Sequence, residues 1–361
     1  MGVKSRNSIK VKEGWTGPGR RDGNIVPLNP EEDGIHMDMD KKGVYEWWYF
    51  DAHTDSGHTV VVFFHASNPN PGVAGKTGVE IVLLRPNGER VQKFIPYKKK
   101  DFIASREKAD VKIGHNYLTS EQSEVGLPVY EIFIDEADIG CHLTYTAEVN
   151  GWKPGSGDSQ FGNMGSFSWI IPFARATVEG TITDGKNTLT VKGVGYHDHN
   201  WLDFQFPRII EYWMWGRIYS ESYTLSYAYI QCNKKMDRHA VKVLMMAEGR
   251  NVILSTGEFD FKMEDFKFNS KAKHSYPQEL KINVPNELAV TLRVDRILEA
   301  VDMLDYFSPI LRFLAKYILR LKPGYFRLRS DFEIDVQNKG KWKKECGATL
   351  HEIVLFKSAG K

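Results

Sequence analysis

The segment Ala174–Trp201 reads ARATVEGTITDGKNTLTVKGVGYHDHNW. Two runs rich in valine, isoleucine and threonine, Ala174–Ile182 and Thr188–Gly195, flank the turn signal Asp184-Gly185. Runs of this composition are typical of strands and Asp-Gly is a common hairpin turn, so the segment predicts a β-hairpin. Its second strand continues into Tyr196–Trp201, the densest cluster of proton-handling side chains in the chain.

Runs of the same kind recur along the chain and are separated by turn signals. Asp55-Ser56-Gly57, Pro86-Asn87-Gly88 and Asn338-Lys339-Gly340 are turn signals at hairpin spacing. Many short strands without interleaved helices favour antiparallel β-barrels or sandwiches. The remaining predicted strands are Tyr45–Ala52, Thr59–Ala66, Gly78–Arg85, Val129–Ile134, Cys141–Val149, Phe167–Ile171, Ile210–Ile218, Ser222–Gln231, Val241–Glu248, Glu279–Asn283, Leu288–Arg293, Phe326–Gln337 and Ala348–Phe356.

The chain length of 361 residues exceeds one ordinary hydrophobic core and predicts two domains. The boundary is expected near Phe204–Arg208, where Pro207 interrupts the strand pattern. We therefore expect an N-terminal domain over residues 1–205 and a C-terminal domain over residues 206–361.

One stretch departs from the strand pattern. From Asp295 to Leu321 the apolar residues follow a helical period, which predicts two short helices near residues 295–321. Ser308-Pro309 provides an N-cap and a first helical proline for the second helix, and Lys322-Pro323-Gly324 ends it. This helix is expected either to make a peripheral membrane contact through residues 309–321 or to cap one end of a barrel. Its basic stripe consists of Arg312, Lys316 and Arg320.

The composition is that of a globular protein without a strong electric field. Apolar residues make up 42% and charged residues 26%, and the net charge of +2 predicts no nucleic-acid partner. The first 40 residues are polar and glycine-rich, so neither a signal peptide nor a spanning helix is expected there. The three cysteines, Cys141, Cys232 and Cys346, are far apart and form no CxxC pair. These features favour a cytoplasmic protein, at most one associated with a membrane.

The cluster Tyr196–Trp201 divides into two faces, because successive side chains of a strand alternate. One face holds Tyr196, Asp198 and Asn200, and the other holds His197, His199 and Trp201. A carboxylate beside a phenol and an amide, with two imidazoles behind it, indicates acid–base chemistry or metal binding.

Three interpretations of this cluster stay open at this point. The two imidazoles could hold a metal ion, with Glu46 or His65 as a third ligand, although Asp198 then points away from it. The histidines and Asp198 could instead form a hydrogen-bonded network that only holds the domain junction of a ligand carrier. Acid–base catalysis is the third interpretation. A nucleophilic mechanism is not predicted, because the chain has no G-x-S-x-G and no cysteine near the histidines.

Aromatic side chains accompany polar ones in three other segments. Glu46-Trp47-Trp48-Tyr49 and Phe167-Ser168-Trp169 lie on predicted strands. In the third segment, alternation places Glu211, Trp213, Trp215, Arg217 and Tyr219 on one face. Such a face is too polar for an ordinary core and too aromatic for an ordinary surface. It indicates a ligand cavity, or else an exposed face on which the arginine stacks over the indoles.

Three motifs in this order carry a resemblance to a known family. They are EWWYF at residues 46–50, W-x-x-P-x-A-R at residues 169–175 and G-Y-x-D-H-N-W at residues 195–201. With them the chain resembles the carotenoid 1,2-hydratase (hydroxyneurosporene synthase) family and its attachment-protein-like relatives, over roughly residues 40–357. Fungal decalin-forming Diels–Alderases resemble the same superfamily. The resemblance implies two tandem lipocalin-like β-domains with the ligand site in and between them.

The resemblance also implies roles for single residues. Hydratases of this family protonate a terminal isoprenoid double bond and add water to the tertiary cation, without a cofactor. The aspartate implicated as the acid matches Asp198, and the tyrosine and tryptophan of the motifs match Tyr196 and Trp169. The hydratases have a histidine where this chain has Phe167, and an apolar residue at the position of His197. The departure at Phe167 puts hydration, as distinct from cyclisation, in question.

We therefore expect an all-β protein and a cofactor-independent, metal-free enzyme acting on an apolar isoprenoid or polyene. Acid-initiated protonation of an alkene gives hydration, or cyclisation where water is excluded. The alternatives are a pericyclic cyclase, whose cavity only preorganises a folded polyene, and a non-catalytic lipid or isoprenoid carrier. The expected catalytic residues are Asp198, Tyr196 and Trp169, and the expected substrate contacts are Glu46, Trp47, Tyr49, Phe167, His199, Trp213, Trp215, Arg217 and Tyr219.

Overall fold

The computed structural model describes residues 10–70, 72–136, 138–306, 309–314, 321–338 and 340–356, whose regular structure is almost entirely antiparallel β-strand. The strands up to Leu202 form one sheet in the order β5-β4-β3-β2-β13-β12-β10-β9-β8-β7-β6, with β1 and β11 joined at the side of β12. These strands are β1 (Val11–Glu13), β2 (Tyr45–Thr54), β3 (Thr59–Ser67), β4 (Thr77–Leu84), β5 (Arg90–Tyr97), β6 (Phe102–Ala104), β7 (Asp110–Ile113), β8 (Asn116–Gln122), β9 (Pro128–Glu136), β10 (Ile139–Ala147), β11 (Asp158–Phe161), β12 (Ser166–Asp184) and β13 (Asn187–Leu202).

A second sheet begins at Ile210 and has the order β17-β16-β15-β14-β22-β21-β20-β19-β18. The first sheet closes into a nearly complete barrel and the second into a half-barrel, which confirms the expected two-domain lipocalin-like fold. The strands of the second sheet are β14 (Ile210–Tyr219), β15 (Tyr223–Cys232), β16 (Ala240–Glu248), β17 (Asn251–Thr256), β18 (Asp260–Asn269), β19 (His274–Val284), β20 (Leu288–Asp302), β21 (Gly324–Asn338) and β22 (Lys341–Leu355).

Buried apolar side chains form three cores. One consists of residues of the first sheet, including Trp48, Phe50 and Phe173, and a second consists of residues of the second sheet. The third combines residues of both sheets, from Tyr45 to Phe356, and so lies between them. We call the region between the facing surfaces of the two sheets, which this third core occupies, the intersheet cleft.

The link between the two sheets is short. A 3₁₀ turn over Phe206–Arg208 follows β13 and precedes β14. It contains Pro207, the residue at which the sequence indicated a break. The division into domains at residues 205 and 206 remains our proposal, with this turn as its physical basis.

The prediction of two helices near residues 295–321 is wrong over its first half. Residues up to Asp302 belong to β20, which pairs with β21, and a 3₁₀ turn covers Met303–Tyr306. The register of β20 shifts between Val294 and Arg296 and again between Ile297 and Glu299. Each shift adds a residue to the two-residue strand repeat, so the apolar spacing imitates a helical period.

The second predicted helix is present in its first part as α1 (Pro309–Phe313). Arg312 of this helix donates from Nε to the carbonyl oxygen of Leu304 at 3.0 Å, and so ties the helix to the preceding turn. Ser308, Lys316 and Arg320 lie outside the described residues. Among the residues that are described, no helix is long and apolar enough to cross a membrane.

Candidate active site

Asp198 lies in the intersheet cleft, at the centre of a cluster of neutral hydrogen-bond donors. Trp169 on β12 donates from its indole nitrogen to Asp198 Oδ2 at 3.1 Å, and the Tyr196 hydroxyl donates to the same oxygen at 2.9 Å. The amide nitrogen of Asn200 donates to Oδ1 at 2.7 Å. Tyr196, Asp198 and Asn200 share a face because they alternate along β13. The three expected catalytic residues are therefore brought together.

Burial decides the protonation of this carboxyl. Asp198 is 8% exposed, and removal from water raises the pKa of its carboxyl from 3.8 to about 6, although the bonds from Trp169, Tyr196 and Asn200 oppose the shift. Burial, assisted by the nearby carboxylate, also raises the pKa of Tyr196 well above 10. The cluster thus combines a carboxyl that can hold a proton near neutral pH with a phenol that stays protonated.

The strand register extends the site across the first sheet. Asp198 is paired with Tyr49 on β2, and Tyr49 with Phe63 on β3, so the three side chains share a face. The Tyr49 and Phe63 rings meet edge to face with centroids 5.0 Å apart. From the second sheet, Trp215 approaches Tyr196 with centroids 5.1 Å apart and Tyr49 at 6.2 Å. The carboxyl is therefore enclosed by aromatic side chains from both sheets.

A buried ion pair crosses the cleft next to this aromatic group. Both terminal nitrogens of Arg217 donate to the Asp51 carboxylate, at 2.6 and 2.5 Å. Burial raises the pKa of Asp51, but the charge and hydrogen bonds of Arg217, with smaller contributions from His53 and Tyr49, together outweigh it and the net shift is downward. The guanidinium lies 5.0 Å from the ring centroid of Tyr196 and 5.4 Å from that of Tyr219. Arg217 is 4% exposed, so this stacking occurs inside the protein and not on an open face.

The other expected aromatic contacts form a second group, centred on Phe206. The Phe206 ring lies 6.3 Å from Trp47, 6.1 Å from Phe167 and 5.0 Å from Trp213, measured between centroids. All of these side chains are partly exposed and pack on the core between the sheets. Phe206 belongs to the 3₁₀ turn between the sheets, so sequence patterns of strands gave no reason to include it.

Glu46 and His199 lie on the opposite face from Asp198. Both side chains are 0% exposed, and His199 Nε2 lies 3.0 Å from Glu46 Oε1. The Glu46 carboxylate also accepts from the backbone nitrogens of His36 and Met37, at 2.7 and 2.8 Å. These contacts attach the segment before β2 to the barrel interior. The structure does not bring Glu46 and His199 to the cleft, and we do not include them in the proposed substrate contacts.

Asp33 connects the two imidazoles that the sequence suggested as metal ligands. Its carboxylate lies 3.0 Å from His197 Nε2 and 3.1 Å from His199 Nδ1, and accepts from the Tyr130 hydroxyl at 2.5 Å. Burial raises the pKa of Asp33, but the two imidazoles outweigh it and the net shift is downward. His65 pairs with Glu80 instead of joining these histidines. Within the described ranges, no group of three or more histidine, cysteine or acidic side chains is placed to hold a metal ion.

Sequence reasoning missed a further ion pair, which β21 and β22 supply. Arg327 donates from Nε and from a terminal nitrogen to Glu352 Oε1, at 3.0 and 2.7 Å, and from Nε to the Tyr325 hydroxyl at 3.1 Å. Tyr325, which accepts from Arg327, packs on the core between the sheets, so this ion pair lies at the cleft. In the sequence, the two-residue spacing of Tyr325 and Arg327 could have indicated this pair, because it places both side chains on one face of a strand.

Comparison with known proteins locates the chain among its relatives. The AttH-like family model matches residues 87–308. The chain is 24% identical over 257 residues to hydroxyneurosporene dehydrogenase of Chlorobaculum tepidum, covering 60% of this chain and 64% of that protein. The alignment thus spans less than two thirds of that relative's length.

Solved structures share the fold over nearly the whole chain. A Nitrosomonas europaea protein named for AttH has a TM-score of 0.60 and 14% identity, covering 95% of this chain and 99% of that one. Kievitone hydratase of Nectria haematococca has a TM-score of 0.58 and 17% identity, with 97% and 98% covered. CghA, solved with Sch210972, has a TM-score of 0.56 and 12% identity, with 98% and 99% covered. At these identities the likeness concerns the fold alone. The family match, in contrast, covers more than half of the chain, which therefore belongs to the AttH-like family.

Proposed function

We propose that this protein is a hydratase- or cyclase-type enzyme that protonates an alkene of a hydrophobic isoprenoid substrate, with Asp198 as the proton donor. The observation that carries the proposal is the Asp198 cluster: a buried carboxyl whose hydrogen-bond partners Trp169, Tyr196 and Asn200 are all neutral. A general acid works best when its pKa lies near the working pH, and a pKa of about 6 meets that condition.

The hydrogen bonds suggest where the proton resides. Oδ2 accepts from both Trp169 and Tyr196, whereas the one described residue that bonds to Oδ1 is Asn200, through its amide. An amide can turn and present its oxygen, so Asn200 can accept a hydrogen bond from a protonated Oδ1 and donate one to an ionised Oδ1. The cluster can therefore stabilise Asp198 before and after the proton has left, with Oδ1 as the donating atom.

The cleft also suits the cation that protonation creates. Aromatic faces stabilise a desolvated cation by about 2 kcal/mol each, and Trp169, Tyr196 and Tyr49 adjoin the carboxyl by hydrogen bond or strand pairing. The positive charge of Arg217 would oppose a second cation, but its bidentate bond to Asp51 neutralises it. Enclosure between two sheets excludes bulk water, which allows either capture by one held water or ring closure.

The relatives support the substrate class. One similar protein is named hydroxyneurosporene dehydrogenase and a similar fold belongs to kievitone hydratase. We infer from these names a substrate whose isoprenoid chain ends in a trisubstituted alkene. Protonation of such an alkene gives a tertiary cation, the most accessible cation for a weak acid.

Incubation with neurosporene, kievitone and squalene in heavy water tests the proposal. We expect one deuterium on carbon for each product molecule, and no deuterium with Asp198→Asn. Asparagine fits the site, because its oxygen can accept from Trp169 and Tyr196 while its nitrogen donates to a turned Asn200. Ligand binding should therefore survive the substitution, while the rate falls by about 10²- to 10⁴-fold.

Glu179→Gln is the matched control, since it makes the same carboxyl-to-amide change at an exposed position of β12. It should leave deuterium incorporation at the wild-type level. A carrier or a cyclase that only preorganises its substrate would form no carbon–deuterium bond, and would behave alike in the wild type and in Asp198→Asn. Either of these results would refute the proposed role of Asp198.

A further inference from the structure

His65 and Glu80 form a second titratable pair on the first sheet. His65 Nε2 lies 3.2 Å from Glu80 Oε2, and Gln92 donates to the other carboxylate oxygen. The imidazole of His65 is 1% exposed, and its Nδ1 is buried with no hydrogen-bond partner among the described residues. A buried polar atom without a partner destabilises the folded state, so this nitrogen calls for an explanation.

The strand register places this pair on the cleft face that carries Asp198. Trp47 is paired with Asn200 on one side and with His65 on the other. Paired residues of antiparallel strands direct their side chains to the same face, so Asn200, Trp47 and His65 form a row beside the row of Asp198, Tyr49 and Phe63. Adjacent strands are about 4.8 Å apart, which separates the backbones of β13 and β3 by roughly 10 Å. The His65 ring stacks on Phe63, with centroids 5.2 Å apart.

Glu80 determines which nitrogen of His65 is basic. Burial raises the pKa of Glu80, but its bonds to His65 and Gln92 outweigh burial and the net shift is downward, so the group is a carboxylate. A carboxylate only accepts hydrogen bonds, and so the proton of a neutral His65 resides on Nε2. Nδ1 then carries the lone pair. A carboxylate that fixes the tautomer of an imidazole in this way is the arrangement by which bases are oriented in hydrolytic triads.

We propose that His65 is the general base of the intersheet cleft, and that its Nδ1 accepts a proton from a water molecule that attacks the substrate cation. This inference rests on the proposed function and favours hydration over cyclisation. Phe167, which packs on the core between the sheets, has no group that can accept a proton, and His65 provides an imidazole on the same face of the sheet.

The step balances without a further reactant. Asp198 Oδ1 gives its proton to one alkene carbon, and the π electrons form the new C–H bond and leave a tertiary cation. The water oxygen then bonds to the cationic carbon, and one water proton passes to His65 Nδ1. The net change is addition of one water molecule. The imidazolium, held by Glu80, loses its proton to solvent, and Asp198 regains one.

Histidine-selective ¹⁵N NMR tests the accepting role without any turnover. The probe is 2,6-dimethyloctan-2-ol, a branched chain that ends in a tertiary alcohol, with 2,6-dimethyloctane as control. The His65 resonances are assigned by their loss in His65→Gln. We expect the alcohol to shift the Nδ1 resonance as a hydrogen bond forms, and the alkane to leave it in place. An Nδ1 resonance that does not move with the alcohol overturns the proposal.

Turnover in heavy water separates this role from that of Asp198. Glutamine at position 65 can still donate to Glu80 and accept from water, but it cannot take up a proton. We expect His65→Gln to lower kcat for alcohol formation by about 10²- to 10⁴-fold, with KM near the wild-type value and deuterium in the recovered alkene. If His65→Gln keeps the wild-type kcat, or if it loses deuterium incorporation as well as alcohol formation, the proposed role of His65 is overturned.

His351→Gln is the matched control. His351 is also fully buried, and its Nδ1 has no partner within the part of the chain that the structure describes, but it lies against Ser330 of the second sheet, 2.7 Å from its hydroxyl. This control should keep the wild-type kcat. Deuterium incorporation by Asp198→Asn would refute the proposed function, whereas unaltered alcohol formation by His65→Gln would refute only the present inference.

Discussion

Replacement of Asp198 by asparagine should change the pH dependence of stability. The carboxyl has a pKa of 3.8 when free in water and about 6 in the folded protein. Between these values the folded state binds more protons than the unfolded state, so ionisation of Asp198 destabilises the fold as pH rises. The contribution is fully unfavourable above pH 6 and disappears below pH 3.8. An amide at this position does not ionise, and so lacks this contribution.

The magnitude follows from the difference between the two pKa values. A shift from 3.8 to about 6 is 2.2 units, and at 1.36 kcal/mol for each unit the penalty is about 3 kcal/mol at pH 8. Since Asp198 is 8% exposed, little solvent screening reduces this figure. The stability of Asp198→Asn relative to wild type should therefore improve by about 2–3 kcal/mol between pH 4 and pH 8.

Urea denaturation of both proteins at several pH values from 4 to 8 measures this difference. Other groups titrate equally in the two proteins and cancel, and Glu179→Gln reports any general effect of a lost carboxylate. If the difference in unfolding free energy between wild type and Asp198→Asn were the same at every pH, Asp198 would be ionised without cost. The reasoning that makes it an acid would then be refuted.

Trp169→Phe removes one donor to the ionised Asp198, and a hydrogen bond to a charged group is worth about 1.5–3 kcal/mol. The pKa of Asp198 should therefore rise, and the pH above which deuterium incorporation declines should rise by about one to two pH units. An unchanged midpoint would contradict the role of the indole. Asp33→Asn should lower the free energy of unfolding, measured by urea denaturation, by about 3–5 kcal/mol, because His197 and His199 lose their carboxylate partner. A wild-type value would show that these contacts do not stabilise the fold. Arg217→Met should lower the free energy of unfolding by a similar amount, because it leaves Asp51 buried without its cationic partner. Adding Asp51→Leu should recover most of that stability. A double variant no more stable than Arg217→Met would show that the lost stability has another cause.

The sequence predicted those parts of the site that depend on local strand geometry. Alternation along β13 placed Tyr196, Asp198 and Asn200 together, and alternation along β14 placed Trp215 with Arg217. These groupings hold because the two-residue repeat of a strand is a property of the backbone. The same rule separates Glu46 from Trp47, yet the sequence alone could not say which of the two faces the cleft.

Contacts between distant segments and irregular strands were not predictable in this way. Asp33 meets His197 only because the segment before β2 folds over the barrel, and no local pattern indicates that contact. The strand β5 was missed because it is an edge strand without a fully buried residue, and its Pro96 reads as a strand breaker. The register shifts of β20 were equally invisible, since a bulge disturbs the apolar spacing without a fixed sequence signature.

Because β13 directs the Asp198 group to one face and its two histidines to the other, few positions near it can accept an inserted residue. A one-residue insertion ahead of Tyr196 would rotate every later side chain to the other surface, so that an acid would enter the barrel and an imidazole would take its place. The exposed Gly185–Lys186 turn at the other end of the hairpin carries no such constraint. A peptide tag or a fluorescent reporter domain placed there would leave the residue spacing of Tyr196–Trp201 on β13 intact. This makes the turn a practical attachment point for labelling the protein.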